Sequence, residues 1–451
     1  MELQSSKNSD KSIGNFINNT EDTTSGHRYD KRKTSEIDLS SKPKEQAKAV
    51  GLPNGGHRAW LQVVGAFVLF FNTWGLMNTF GVYQSYYESG DLFESTSSNI
   101  SWIGSIQAFL MLLVGAITGP IFDAGHLRFL LCVGTFGIVF GHMMLSLCHE
   151  FWQALLAQGF AIGLGAGFLF IPSFGVISQY FDTWLVTAVG LSVVGSSLGG
   201  IIYPIMFNKL LHELGFQWAV RIIGFMALGM LVIPLFTMQL RTKPPERRAI
   251  FDKTAFTEPS VFAFMFSGFF GYIGLLIPFF YIPFTARAKE YASENLSFYL
   301  LPMLNAASII GRVVPSIAAD KIGPLNMLIP TAALNAVVSY SVIAVDNTAG
   351  MIAIAVFYGL TSGTYISLPA AIFVQLTPPD RRHLIGTRMG MGFTIMGLGA
   401  LIGTPVAGAI AGSNNYITGV YLWSGTTLVV ACVGFFVVRY IRVGSKLMVK
   451  I

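Results

Sequence analysis

LQVVGAFVLFFNTWGLMNTFGVYQS, residues 61–85, is the first of a series of apolar runs of membrane-spanning length. The hydrocarbon core of a bilayer is roughly 30 Å thick, so a helix that crosses it needs about 20 apolar residues. Further runs of this length lie at about 100–121, 129–148, 152–179, 185–207, 217–240, 259–283, 297–318, 325–345, 349–374, 388–411 and 417–440. They predict an all-α integral membrane protein with twelve transmembrane helices, because a water-soluble protein could not hide so much apolar surface.

The basic residues are unevenly distributed between the loops that join these runs. The formal net charge is +6, which by itself could suggest a nucleic-acid partner. Most Lys and Arg residues near the membrane, however, lie in one set of loops, whereas the other set holds only Lys209, Arg287 and Lys289. Cytoplasmic loops carry the excess of Lys and Arg. Both termini are therefore predicted to be cytoplasmic, and the positive charge sets topology rather than binding nucleic acid.

Two features lie outside the apolar runs. Residues 1–52 are rich in Ser, Lys, Asp, Asn and Thr, and they carry too little apolar surface to fold alone. We expect them to form a disordered cytoplasmic tail. The sequons at Asn99 and Asn295 fall on the predicted outer side and are candidate glycosylation sites.

The longest inner loop, 241–258, divides the runs into six and six. We expect an N-terminal half at 53–240, a linker at 241–258, a C-terminal half at 259–440 and a short cytoplasmic tail at 441–451. The turn after the second run of each half has a similar composition: GPIFDAGHLR contains Asp123 and Arg128, and SIAADKIGP contains Asp320 and Lys321. A generic polar turn would explain either copy alone. Two copies at matching positions favour paired halves with a central cavity, the architecture of the major facilitator superfamily, and make the four charged residues candidates for conformational gating.

Small residues in several runs indicate close helix packing. The fifth run contains Gly195 and Gly199 at a spacing that lets helix backbones approach each other in lipid. The GLGAG segment of the fourth run superficially resembles a dinucleotide fingerprint, but no strand–turn–helix unit surrounds it. We therefore interpret these glycines as packing and hinge residues.

Charge inside the runs is scarce, and Arg312 is the deepest case. Asn305, Ser308, Arg312 and Ser316 follow one face of the eighth helix, and a central arginine costs roughly 2.5–3.5 kcal/mol on insertion scales. We therefore expect this face to line a wet cavity in which Arg312 anchors a substrate anion. An internal structural pair is the alternative. For Arg221 and His142, helix-end and interior structural roles are favoured.

Uncharged polar residues supply further candidates for substrate binding. Asn72 lies on one face of the first run with Asn78 adjacent, and Tyr358 and Tyr365 share a face of the tenth. Hydroxyl, amide and aromatic groups suit a substrate with an apolar body and several hydrogen-bonding groups. Hydrogen bonds between helices are the alternative for each of them.

At four motifs the chain resembles a fungal member of the monocarboxylate-transporter-like branch of the major facilitator superfamily. These are NGGHRAW (54–60), SWIGSIQAFL (101–110), LNAASIIGR (304–312) and GTRMGMGFTIMGLGALIGTPVAGAI (386–410). The resemblance covers roughly residues 53–440 and implies a twelve-helix carrier for small organic acids. In the first motif, Asn54 stands where the family has an acidic residue.

The departures from the family concern proton coupling. Well-studied animal members have a lysine in the first span and an acid one turn before the arginine of the eighth. Alignment on the segment around Gly65 places Asn78 at the lysine position and Ser308 at that of the acid. Neither side chain takes up a proton at physiological pH. Proton-coupled lactate transport is therefore not inherited with the resemblance.

These observations predict a secondary active or facilitative transporter that works by alternating access. We expect a small organic acid or an amphiphilic metabolite as substrate, with efflux favoured. Uptake of a monocarboxylate or vitamin-like nutrient and a non-transporting nutrient sensor are the alternatives. No enzymatic activity, cofactor or metal site is expected; Cys132, Cys148 and Cys432 are odd in number and widely spaced. The expected partners are a small-molecule substrate and the lipid bilayer, with no nucleic acid. We expect a monomer in the plasma membrane, with the vacuolar membrane as alternative.

Overall fold

The computed structural model describes residues 54–241, 251–378, 381, 384–412, 417–446 and 449. The predicted tail at 1–52 lies outside these residues. Eleven continuous helical segments of the described chain are long and apolar enough to cross a membrane. One of them contains two spans, so we number the helices α1 (His57–Glu88), α2 (Ser97–Phe122), α3 (Leu127–Leu145), α4 (Phe151–Gln179), α5 (185–214), α6 (216–237), α7 (Pro259–Ala288), α8 (Asn295–Ile322), α9 (Pro324–Ala344), α10 (Thr348–Leu376), α11 (Ile385–Gly412) and α12 (Ile417–Val443).

The boundary between α5 and α6 is a single glycine. The segment Leu185–Thr237 is helical apart from Gly215, whose φ of 76° and ψ of 171° lie outside the helical region. A side chain would strain this conformation, and glycine adopts it freely. The break lies inside the interval that the sequence left between its fifth and sixth runs, so the prediction of twelve spans is confirmed.

Helix α4 is locally wider than an ordinary α-helix. Residues Leu155–Ile162 form a π-helical segment, and Gly163–Gly175 continue as an α-helix. The extra residue per turn rotates the side chains that follow it relative to those before it. Sequence periodicity did not predict this segment, because the fourth run is mostly apolar and shows no clear periodic pattern.

Helices α1 and α5 pack with almost no side chain between them. A Cβ atom on Gly195 would lie 2.0 Å from the carbonyl oxygen of Phe67, and one on Gly199 would lie 2.5 Å from that of Phe71. Real Cβ atoms cannot approach so closely, so glycine is required at both positions. The predicted packing role of these two glycines is confirmed.

Two pairs of helices join the first six spans to the last six. We call the end of the bundle that carries the 241–258 linker the linker face and the other end the opposite face. Along the α2–α11 seam, the Ser105 and Thr404 hydroxyls lie 2.5 Å apart, and a Cβ atom on Gly390 would lie 2.8 Å from the Cα atom of Ala116. The α5–α8 seam forms the second junction, and it contains Arg312.

Two polar residues of the first half have the local roles that the sequence favoured for them. His142 of α3 is buried, and its Nδ1 lies 2.8 Å from the carbonyl oxygen of Ile138. Arg221 lies near the start of α6 with its guanidinium over the ring of Trp218, and its Nε donates to the Ser146 hydroxyl at 3.0 Å.

Candidate functional site

Arg312 is buried in the α5–α8 seam, with 1% of its surface exposed. Its Nη1 donates to the carbonyl oxygen of Val193 at 2.6 Å and to the hydroxyl of Ser196, both on α5. Its Nε has no hydrogen-bond partner among the residues that the structure describes. Among the described residues, no carboxylate forms an ion pair with Arg312. The charge is therefore balanced only by neutral dipoles, with Tyr272 as an electrostatic neighbour.

The expected face of α8 exists, but α5 covers it. Asn305, Ser308, Arg312 and Ser316 are each at most 1% exposed. The hydroxyl of Ser308 lies 2.6 Å from that of Ser197 on α5. The sequence predicted a wet cavity in front of this face, whereas in this closed arrangement helix α5 fills that space. Contacts of this kind depend on the position of another helix, which periodicity along α8 does not report.

Asn305 links three helices at the opposite-face side of Arg312. Its Oδ1 accepts a hydrogen bond from the Nδ2 of Asn78 on α1 at 3.3 Å. Its Nδ2 donates to the carbonyl oxygen of Gly200 on α5, also at 3.3 Å. Asn78, Asn305, Ser308 and Arg312 are thus brought together along one junction between the halves.

The remaining candidates for substrate binding do not join this junction. Asn72 accepts a hydrogen bond from the hydroxyl of Tyr203 at 2.6 Å, which connects α1 to α5 within the first half. Tyr358 donates to the carbonyl oxygen of Leu275 at 2.7 Å within the second half. Tyr365 is also buried, but its hydroxyl has no hydrogen-bond partner in the described part of the chain. Its ring centroid lies 6.5 Å from that of Tyr272. Of these three side chains, only that of Tyr365 makes no hydrogen bond to any described residue.

Asp320 closes the α5–α8 seam at the linker face. Its carboxylate accepts hydrogen bonds from the backbone N–H of Val186 at 3.2 Å and of Thr187 at 3.0 Å, and from the Thr187 hydroxyl at 2.6 Å. A carboxylate stabilises a helix N-terminus because it satisfies free N–H groups and opposes the positive end of the helix dipole. One half of the molecule therefore caps a helix of the other.

The other three gating candidates lie near the same face. Arg128 and Lys321 are exposed. Asp123 ends the helix that starts at Ser97, and its side chain lies outside the described structure. One turn before Asp123, the backbone of α2 is close to α11: a Cβ atom on Gly119 would lie 3.9 Å from the carbonyl oxygen of Gly386.

A buried ionic cluster at the start of α11 was missed by sequence reasoning. Arg388 is fully buried; its Nε donates to Asp252 at 2.8 Å, and its Nη1 and Nη2 donate to Glu258 at 2.9 and 2.6 Å. Arg381 also pairs with Glu258, at 2.6 Å. Burial alone would raise the pKa of Asp252, but hydrogen bonds from Thr254 and Arg388 outweigh it and lower that pKa.

This cluster attaches the end of the linker to α11. In the sequence, Arg381 and Arg388 are only two of the many basic residues that predict topology. Asp252 and Glu258 lie six residues apart just before α7, and Arg388 lies just inside the apolar run of α11. Opposite charges at two neighbouring helix starts on one face were the signal that could have predicted the pairing.

Contacts between the halves lie on both sides of Arg312. Toward the linker face, a Cβ atom on Gly190 would lie 2.6 Å from the Ser316 hydroxyl oxygen. Toward the opposite face, Phe80 of α1 packs edge-on against Phe280 of α7, with ring centroids 5.8 Å apart. The arrangement can give an ion access to Arg312 only when α5 and α8 separate.

Comparison with known proteins places this geometry in a family. Residues 63–385 match the family model described as Major Facilitator Superfamily. The chain is 51% identical over 380 residues to the MFS-type transporter dbaD of Emericella nidulans, a match that covers 84% of this chain and 85% of the relative. It is 36% identical to the aspyridones efflux protein apdF of the same organism, over 88% of this chain and 81% of the relative.

A solved structure supports the same fold. The human organic anion transporter MFSD10 (TETRAN) superposes with a TM-score of 0.63 and 12% sequence identity, over 84% of this chain and 98% of that one. At this identity the likeness concerns the arrangement of the helices and not the substrate.

Proposed function

Because the chain belongs to the Major Facilitator Superfamily of transporters, we propose that it exports an organic anion with an apolar body, of the kind that fungi make as secondary metabolites. The observation that carries this proposal is the buried guanidinium of Arg312 without a carboxylate partner. The name of apdF, an efflux protein, supports the direction. Among the described residues, Arg312 is therefore the proposed anchor of the substrate.

The electrostatics of Arg312 favour an anionic substrate over a neutral one. An ionised group in the membrane interior is costly, so such residues usually find a partner or face a cavity. The groups on α5 are neutral, whereas a carboxylate would form charge-assisted hydrogen bonds with the planar guanidinium. An inside-negative potential then favours exit of the anion by about 2.3 kcal/mol per charge per 100 mV.

The surroundings of Arg312 suit the apolar part of such a substrate. The buried hydroxyl of Tyr365 has no partner within the described ranges, and the aromatic rings of Tyr365 and Tyr272 are neighbours. Asn78 and Asn305 provide amide groups on the opposite-face side. One charged anchor, a few polar groups and aromatic walls are the usual composition of a small-molecule site.

Transport would proceed by alternating access across the two seams. We propose that the linker face is cytoplasmic, as the distribution of basic residues predicts, and that Asp320 holds this face closed through the N-terminus of α5. The plasma membrane is the proposed location because efflux from the cell requires it. The vacuolar membrane is the alternative and would imply storage of the same substrate.

We also propose that the chain lies in the monocarboxylate-transporter-like branch of the family. In the first motif, the Oδ1 of Asn54 accepts hydrogen bonds from the backbone N–H of Asp182 at 2.6 Å and of Thr183 at 2.9 Å. The family's acidic residue offers the same acceptor, so Asn54 preserves this contact between the start of α1 and the loop before α5. The departure at Asn54 is therefore compatible with the branch.

Flux measurements in proteoliposomes test the proposal. Vesicles loaded with 2-naphthoate, an aromatic carboxylate, should lose it faster when they contain the protein. An inside-negative diffusion potential at constant pH should accelerate this loss. Arg312→Gln should abolish the protein-dependent flux, whereas Ser192→Ala, which alters a hydroxyl bonded to Ala188 of its own helix, should preserve it.

Two results would contradict the proposal. Normal flux in the Arg312→Gln variant would show that Arg312 does not anchor the substrate. Concentrative uptake driven by a pH gradient at clamped potential would show that protons enter the cycle and would favour nutrient uptake instead.

A further inference from the structure

In the closed seam, the two α5 acceptors of Arg312 bind one of its three guanidinium nitrogens. Nη1 is bonded to both the Val193 carbonyl oxygen and the Ser196 hydroxyl. Ser196 is fully buried and lies on the side of α5 that faces α8. Nη1 carries two N–H groups and both are used, so a substrate carboxylate that binds Nη1 must displace at least one of these two acceptors.

We propose that Ser196, with the Val193 carbonyl, is a built-in competitor of the substrate for Arg312. The inference rests on the proposed function, in which Arg312 anchors an anion. Ser196 acts through Arg312 and is a positioning residue. Its hydroxyl accepts a hydrogen bond from the guanidinium and so stabilises the closed seam when no anion is bound. The unloaded carrier can therefore reorient.

The competition predicts that removing the Ser196 hydroxyl increases the affinity for the anion. If the seam must open before an anion binds, the apparent dissociation constant equals the intrinsic one divided by the open fraction. Removing the Ser196 hydroxyl destabilises the closed seam and raises that fraction. Ser196→Ala should therefore bind 2-naphthoate about three- to tenfold more tightly, in line with the usual net strength of an intramolecular hydrogen bond, although a polar group has been removed from the site.

The same change should slow net transport relative to exchange. Net efflux into substrate-free medium requires the unloaded carrier to close, whereas exchange with 2-naphthoate on both sides uses only the loaded carrier. In Ser196→Ala the ratio of exchange to net efflux should rise about three- to tenfold. A purely structural defect would lower both rates together. Ser192→Ala, one turn earlier on α5, should leave this ratio unchanged, because its hydroxyl contacts only Ala188 of α5 at 2.8 Å and Val63 of α1 at 3.5 Å among the described residues, both in the first half.

A thiol-labelling experiment tests the seam without any substrate. In a background with Cys132, Cys148 and Cys432 replaced by serine, Ser197→Cys places a thiol in the α5–α8 seam, where Ser197 is buried against Ser308. The full chain in permeabilised proteoliposomes is treated with methyl methanethiosulfonate, which is small and neutral. Adding Ser196→Ala should speed labelling about three- to tenfold, since the thiol is reached only when the seam opens, and adding Ser192→Ala should not.

The outcomes separate this inference from the proposed function. Equal labelling rates with and without Ser196→Ala, or an equal acceleration by Ser192→Ala, would overturn the role of Ser196. A lack of 2-naphthoate binding in the otherwise unchanged protein would count against the proposed function, while the labelling rates would still decide whether Ser196 stabilises the closed seam.

Discussion

The guanidinium of Arg312 is planar, with donors that point in fixed directions, so its interactions depend on shape as well as charge. In the closed seam one nitrogen, Nη1, serves both Val193 and Ser196, and Nε is left without a partner. A single side chain therefore takes part in closing the seam and, in our proposal, in binding substrate.

Substitution of Arg312 should separate charge from shape. Arg312→Gln should lower protein-dependent 2-naphthoate efflux by about 30-fold or more, because removing one partner of a buried charged pair costs about 2–5 kcal/mol. Arg312→Lys should restore only part of the rate, since an ammonium group lacks the planar fork. Efflux rates are compared after normalisation to the amount of protein in the vesicles. Equal rates for Lys and Arg would show that charge alone suffices.

Ser308→Asp should introduce a pH dependence that the natural residue cannot provide. The new carboxylate would lie one helical turn from Arg312, and in its ionised form it would pair with the guanidinium and compete with the substrate. Protonation would remove this competition, so efflux of the variant should rise as the pH falls from about 8 to about 5. Efflux at constant membrane potential is measured over this range for both proteins. Parallel pH profiles would mean that position 308 does not communicate with Arg312.

At the scale of elements, the N-terminus of α5 depends on a residue from the other half. Asp320→Ala removes a helix cap worth about 0.5–2 kcal/mol and should open the linker face more often. The thiol of a Ser316→Cys variant, at a position buried beside Gly190, should then react with methyl methanethiosulfonate about fivefold faster. Asp346→Ala, at an exposed aspartate of the opposite face, is the matched control. An unchanged labelling rate in the Asp320→Ala variant would show that Asp320 does not hold the linker face closed.

The linker cluster should contribute to stability in a pH-dependent way. Asp252→Asn should lower the free energy of unfolding by about 1.5–3 kcal/mol, the range for hydrogen bonds to charged groups. Because the folded-state pKa of Asp252 is lowered, its contribution is present above the unfolded pKa of about 4 and is lost as the pH falls through the lower folded value.

Thermal unfolding of the two proteins checks this expectation. The difference in unfolding temperature should be constant from about pH 8 to about pH 6 and should shrink only in acid below about pH 4. A difference that disappears already within the neutral range would contradict the ion pair with Arg388.

For the whole molecule, the orientation in the membrane is the decisive expectation. Asn295 is at the first turn of α8, on the opposite face. If that face is extracellular, glycosidase treatment should shift the mobility of the protein. Asn295→Gln should reduce the shift, and Asn295→Gln combined with Asn99→Gln should remove it. An N-terminal tag should remain protected in sealed cells. Labelling of the tag on intact cells would reverse the proposed orientation.

The sequence by itself determined the spans and the polar face of α8. Span number follows from the length of apolar chain that a bilayer accepts, and the alignment of Asn305, Ser308 and Arg312 follows from helical periodicity. Both properties depend on neighbours along the chain, so they can be read without a tertiary structure. A close helix contact at Gly195 was likewise predictable, because only small residues permit it, whereas α1 as the partner helix was not.

Only the tertiary structure decided which group each polar residue meets. Val193 and Ser196 lie more than a hundred residues before Arg312, and Asp252 meets Arg388 across a similar separation. Such partners depend on the positions of whole helices, and the periodicity of a single segment contains no information about those positions. The face of Arg312 was therefore predictable from the sequence, whereas its coverage by α5 in place of water depends on how the two halves pack.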